Sequence, residues 1–157
     1  PLTSPIFGGS PPLSLPPTAG PSLSSSANGS LRWESRNSWA FLRALGYQGG
    51  ALVCHRPGLY FVYAQIHLSS PELRTCARSL LRIRKRTPRY PEPLDLLLHT
   101  GIHCPPNPGG GGPWARSGFW GGLVRLEEGD EVFVQVEEPR LVRALDGTRS
   151  YFGMFMV

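Results

Sequence analysis

The chain has 157 residues, enough for one domain with a full hydrophobic core. Only 17% of them are charged, whereas 19 glycines and 17 prolines punctuate the chain; with helical periodicity weak throughout, this excludes a helical domain and fits an all-β domain plus a flexible segment. The net charge of +5 favours acidic partners, whether a receptor surface, a glycosaminoglycan or nucleic acid, without choosing among them.

Residues 1–30 are dominated by Pro, Ser, Gly and Leu with no sustained period, the composition of a stalk or linker. The first residue is Pro1, which reads as a processing boundary, and no secretory leader or membrane-spanning run is visible. Asn28-Gly29-Ser30 is a glycosylation sequon in a stretch that reads as exposed, so Asn28 is the expected acceptor in a secretory host. The folded domain is expected over residues 31–157. Cys54 lies in the apolar run ALVCH and reads as a small buried hydrophobe. Leu59–Leu68 is the clearest strand: Tyr60, Val62, Ala64, Ile66 and Leu68 form a core face with period two, and Leu59, Phe61, Tyr63, Gln65 and His67 form the other. Cys76 and Cys104 sit at the edges of turn-rich segments. One disulfide between them is the preferred reading, with three reduced thiols as the alternative. With the sequon, it suggests an oxidising, extracellular setting.

The run Arg82-Ile83-Arg84-Lys85-Arg86 places its even-numbered arginines on one strand face and Leu81, Ile83 and Lys85 on the other. A solvated strand face with its apolar alternates in the core is one reading; a site for heparin-like polyanions is another. Nucleic-acid binding is disfavoured because no aromatic platform interleaves with the basic residues. Thr87-Pro88-Arg89-Tyr90-Pro91 follows, a loop stiffened by prolines that presents Tyr90 outward with Arg86 and Arg89 beside it, the usual ingredients of a binding hot spot. Residues 105–113, PPNPGGGGP, read as a mobile loop. In the next strand Trp120, Val124 and Leu126 alternate with Phe119, Gly121, Leu123 and Arg125. Glu128-Gly129-Asp130 makes a hairpin turn, Val132, Val134 and Val136 alternate with Glu131, Phe133 and Gln135, and Asp146-Gly147 makes a second turn. The last strand alternates Phe152, Met154 and Met156 with Tyr151, Gly153, Phe155 and Val157, and the chain stops inside this apolar run. Short strands with such turns predict a β-sandwich. Tyr63, Phe119, Tyr151 and Phe155 are large and lie off the core face. Partial cover by loops is one reading; a subunit interface is the sharper one, because large exposed aromatic patches are rare on monomers.

No catalytic constellation appears. His99, His103 and Cys104 lack a second cysteine pair for metal ligation, no nucleophile elbow or Ser/His/Asp signature occurs, and Gly109–Gly112 precedes no helix that could cradle phosphate. Neither an enzyme nor a cofactor or metal is expected.

The segments GLYFVYAQIHL, FWGGLVRLEEGDEVFVQV and SYFGMFMV, in that order within Leu31–Val157, resemble the tumour necrosis factor superfamily of ligands. The resemblance implies a ten-stranded jelly-roll sandwich assembled as a homotrimer, with Tyr63, Phe119, Tyr151 and Phe155 packed at the trimer axis. It also implies the disulfide Cys76–Cys104 between two top loops. Tyr90, with Arg86 and Arg89, would form one receptor contact, and Arg143, Asp146 and Arg149 a second around the loop before the last strand. The implied partners are cysteine-rich receptors such as herpesvirus entry mediator and lymphotoxin-β receptor. The implied location is the cell surface, through an N-terminal anchor outside this chain, and the extracellular space after shedding. A complement-type trimeric globular head, serving as a recognition or matrix module, is the alternative from another class. Such heads often follow collagen, and residues 1–30 lack glycine at every third position.

Overall fold

The computed structural model describes residues 13–14, 30–31, 33, 45–70, 74–105, 112–138, 141–142 and 150–157. Nine strands occur among them: β1 (Leu13–Ser14), β2 (Leu45–Gln48), β3 (Ala51–Cys54), β4 (Gly58–Ser70), β5 (Ala77–Arg86), β6 (Leu94–His103), β7 (Trp114–Leu126), β8 (Glu131–Val136) and β9 (Tyr151–Met156). They form two antiparallel sheets, ordered β1-β9-β4-β7 and β2-β3-β8-β5-β6. The chain passes from one sheet to the other between β1 and β2, β3 and β4, β4 and β5, β6 and β7, β7 and β8, and β8 and β9. That is the jelly-roll form of a sandwich.

The alternation along each strand decides which face is buried. On β4, Tyr60, Val62, Ala64, Ile66 and Leu68 are buried, and they meet the equally buried Val132, Val134 and Val136 of β8 from the opposite sheet. Phe152 and Met154 of β9 and Leu31 and Trp33 ahead of β2 fill the same core. Within the segment read as a stalk, Leu13 and Ser14 pair with Phe152 and Tyr151 and add a two-residue strand to the sheet edge. Asn28 and residues 106–111 of the glycine-rich loop lie outside the described residues.

Three features depart from the sequence reading. Phe133 has the parity of Glu131 and Gln135 and points off the core, yet it is only 2% exposed, because the Arg86 guanidinium lies 4.3 Å above its ring. β7 begins at Trp114, which is buried against the His103 ring at 4.6 Å. β6 was not legible as a strand. It is the edge of its sheet, and its pairing with β5 slips between Ile83 and Arg84, so Leu97 faces Ile83 but Asp95 faces Arg84. The extra residue breaks the period.

Cys76 and Cys104 are joined by a disulfide at one end of the β5–β6 hairpin, next to the Ala77–His103 pair. Cys54 is a buried free thiol that donates to the Arg56 carbonyl. Lys85 turns inward as its parity requires, and its ammonium sits 3.5 Å from the buried carboxylate of Asp130. That carboxylate also accepts the Glu127 N–H across the β7–β8 turn, where Gly129 takes φ 88°. The turn is hooked to β3 by Gly129 N–H to the Cys54 carbonyl and Cys54 N–H to the Asp130 carbonyl.

Candidate functional site

Two surfaces stand out. The first is the outer face of the β1-β9-β4-β7 sheet. Cross-strand registry sets Phe61 opposite Phe155, Tyr63 opposite Gly121 and Gly153, and Gln65 opposite Phe119 and Tyr151. Rings on neighbouring strands therefore alternate with glycines and interlock. Tyr63 lies 6.4 Å from Phe119, 6.3 Å from Tyr151 and 6.3 Å from Phe155. All four residues expected at a subunit interface are brought together around Tyr63. Phe61, 5.5 Å from Phe155 and 6.0 Å from Tyr63, belongs to the same plate and was not singled out from sequence, although its parity with Tyr63 carried the signal. Phe119 is 53% and Leu123 58% exposed, so the plate opens to solvent along β7. Burial among the rings, and then the nearby Tyr151, push the Tyr63 hydroxyl well above its ordinary value, so it stays protonated at physiological pH. The Tyr151 hydroxyl donates to the Gln65 side-chain carbonyl at 3.0 Å.

The second surface is the loop joining β5 to β6. Pro88, Pro91 and Pro93 fix its backbone, and a turn closes with the Tyr90 N–H donating to the Thr87 carbonyl at 3.2 Å. Tyr90 projects from it, 57% exposed, and Arg89 is exposed beside it. Arg86 is more constrained than its sequence position implies. Its Nε lies 3.3 Å from Glu131 Oε2 while its guanidinium caps Phe133. Arg84 is likewise held, 2.8 Å from Asp95 and donating to Gln135 and the Pro93 carbonyl. Of the basic run, Arg84, Lys85 and Arg86 thus serve mainly to brace the hairpin that carries the loop.

Arg143, Asp146 and Arg149 lie outside the described residues. Their flanks are placed: Val142 bridges Leu68, and the Ser150 hydroxyl accepts the His67 N–H, both towards the end of β4 away from the Tyr90 loop. β5 spans ten residues between the two ends, on the order of 30 Å. His99 and His103 are packed against aromatic rings: His99 stacks on Trp120, and His103 lies on Trp114 and within 2.9 Å of the Ser79 hydroxyl. Among the described residues no group of three His, Cys, Asp or Glu could hold a metal ion, and no helix is long and apolar enough to cross a membrane.

Residues 31–157 match the family described as the TNF (Tumour Necrosis Factor) family. Similar proteins include tumor necrosis factor ligand superfamily member 6 of Sus scrofa, 31% identical over 130 residues, and its Homo sapiens namesake, 29% identical over 128. Each match covers 80% of this chain and 43% of the relative. Tumor necrosis factor ligand superfamily member 10 of Mus musculus is 29% identical over 143 residues, covering 80% of this chain and 46% of the relative. The chain thus spans less than half the length of these curated relatives.

Proposed function

We propose, from the premise that this chain belongs to the tumour necrosis factor family, that it is the receptor-binding part of a homotrimeric extracellular cytokine. Three copies pack through the aromatic plate around Tyr63, and each groove between neighbours holds one elongated, cysteine-rich receptor. Receptor tails are brought together inside the responding cell, and no bond is made or broken. Threefold symmetry supplies multivalency against receptors confined to a membrane. The observation that carries this reading is the pairing of two surfaces on one fold: a solvent-open plate of five interlocked rings, and a proline-braced loop that presents Tyr90.

Segments KRTPRYPE and RLVRALDGTRSYFGMFMV resemble the ligand called LIGHT, which makes herpesvirus entry mediator and lymphotoxin-β receptor the receptors to try first. Contacts are assigned to Arg86, Arg89 and Tyr90 at one end of the sandwich and to Arg143, Asp146 and Arg149 at the other. An elongated partner lying along the groove reaches both. Residues 1–30, of which Leu13 and Ser14 also pair with β9, serve as the stalk, glycosylated at Asn28, between the domain and an N-terminal membrane anchor from which it is shed.

The prolines limit the loop's freedom before docking, so little entropy is lost on binding. The Tyr90 ring supplies apolar area and one hydroxyl, and Arg89 accelerates association with an acidic surface. Tyr90→Ala is therefore expected to leave the oligomer intact and to cost about 2 kcal/mol, roughly thirtyfold in receptor affinity. Sedimentation of the variant, with binding to soluble ectodomains of both receptors, tests it. Unchanged affinity for every receptor the parent binds would remove this loop from the contact.

A further inference from the structure

Beside Tyr90 the surface is concave. The β5–β6 loop and the β7–β8 turn enclose a depression of about 280 Å³, lined by Tyr90, Glu92 and the three loop prolines against Arg86 and Glu131. The charges in it do not balance. Arg86 is already matched to Glu131 at 3.3 Å, and the adjacent Lys85 is turned inward to Asp130. Glu92 has no ionic partner among the described residues, so a chain with net charge +5 presents a locally acidic hollow at this point.

The hollow holds two carboxylates, Glu92 and Glu131, and one cation, Arg86, whose guanidinium is turned to Glu131 and Phe133. The carboxylate left without an ionic partner among the described residues is that of Glu92; Thr87 lines the same wall with its hydroxyl buried beneath the surface. Thr87 is only 6% exposed, and its hydroxyl has no hydrogen-bond partner among the described residues. Prolines and a tyrosine ring add apolar surface, and the prolines offer no N–H. A guest that satisfies such a site has an aliphatic stem and a donor-only cationic head, the anatomy of lysine and arginine.

We infer that this depression receives a basic side chain of the docked receptor, seated between Tyr90 and Glu92. The inference rests on the Tyr90 loop being a receptor contact and names what that contact reads. Arg89 attracts an acidic surface at a distance, whereas the hollow selects one base at close range, so a receptor needs both features to match.

The test compares Glu92→Gln, Glu92→Lys and Tyr90→Ala in the whole chain, each measured for melting temperature and for binding to the soluble ectodomains of herpesvirus entry mediator and lymphotoxin-β receptor. Glu92 is exposed, so both its variants should melt with the parent. Glu92→Lys should weaken binding at least about tenfold, chiefly by faster dissociation, and Glu92→Gln should weaken it less and flatten the salt dependence. Alanine scanning of the receptor's lysines and arginines should then find one whose loss is not additive with Glu92→Gln. Parent-like binding by Glu92→Lys, with affinity lost in Tyr90→Ala, would overturn the basic guest while keeping the loop as a contact. Parent-like binding by all three variants would overturn both.

Discussion

Gly121 and Gly122 are neighbours on β7 that face opposite ways, and they differ in what a side chain would strike. A Cβ at Gly121 would stand 2.9 Å from the Val62 carbonyl oxygen and 3.1 Å from the Tyr63 Cβ, atoms fixed by the sheet itself. A Cβ at Gly122 would meet the Leu97 methyl at 2.9 Å, the far end of a half-buried side chain that can rotate away. Gly121→Ala should therefore destabilise the fold by about 1–3 kcal/mol in urea titration, and Gly122→Ala by less than about 1 kcal/mol. Asp130 is the other residue with a sharp expectation. It is fully buried and holds both Lys85 and the β7–β8 turn. Asp130→Ala strands an ammonium that is only 15% exposed and should cost about 3 kcal/mol by the same measurement. The inward parity of Lys85 is visible in the alternation of β5, but its partner is not, since Asp130 lies 45 residues on and reads as a surface turn. Phe133 shows the same limit: parity gives the face correctly, and burial comes from a cation supplied by another strand.

At the scale of elements, β6 is held at the open edge of the sandwich by two imidazoles that fill space between sheets, His99 on Trp120 and His103 on Trp114. Burial, then Arg116 and His99, keep the His103 imidazole below its ordinary value of 6.5. The folded chain thus binds that proton less tightly than the unfolded chain does, so the contribution is complete above about pH 6.5 and is lost as pH falls through the folded value. Melting temperature should drop on acidification from pH 7 to pH 5, and His103→Gln should show a shallower drop. A parallel shift of both profiles would assign the pH sensitivity elsewhere. β4 was legible because it buries one face with period two along most of its length, and β8 and β9 because Val132, Val134 and Val136 and then Phe152 and Met154 recur at alternate positions in the core. β6 was not, because an edge strand with a slipped register leaves Leu98 57% and Ile102 73% exposed while Leu96 and Leu97 both pack inward. The rings around Tyr63 were legible for the complementary reason: aromatic residues on the wrong parity of a well-defined strand have no place in their own core.

For the whole molecule, the assembly proposed through that plate would separate trimer formation from folding. The core of one chain is complete without it, since Phe152, Met154 and the even-numbered side chains of β4 are fully covered by the opposite sheet. Phe119 adds little to that core. It is 53% exposed, 6.4 Å from Tyr63, and pairs through the backbone with Gln65, which any residue can do. Burying it between subunits removes apolar area from water at about 25 cal/mol per Å², repeated three times in a threefold assembly. Phe119→Asp replaces each of those contacts with a carboxylate, which must be desolvated among rings that offer no cation. A single substitution should consequently dissociate the trimer while leaving the β signature in circular dichroism unchanged. Phe152→Ala, by contrast, empties the core of each chain and should unfold it, at a cost of about 3–5 kcal/mol. Sedimentation of the two variants at micromolar concentration separates the cases. A Phe119→Asp chain that still sediments as three copies would mean the plate is not the assembly surface, and a parent chain that sediments as one would mean that the rings are covered by some other partner.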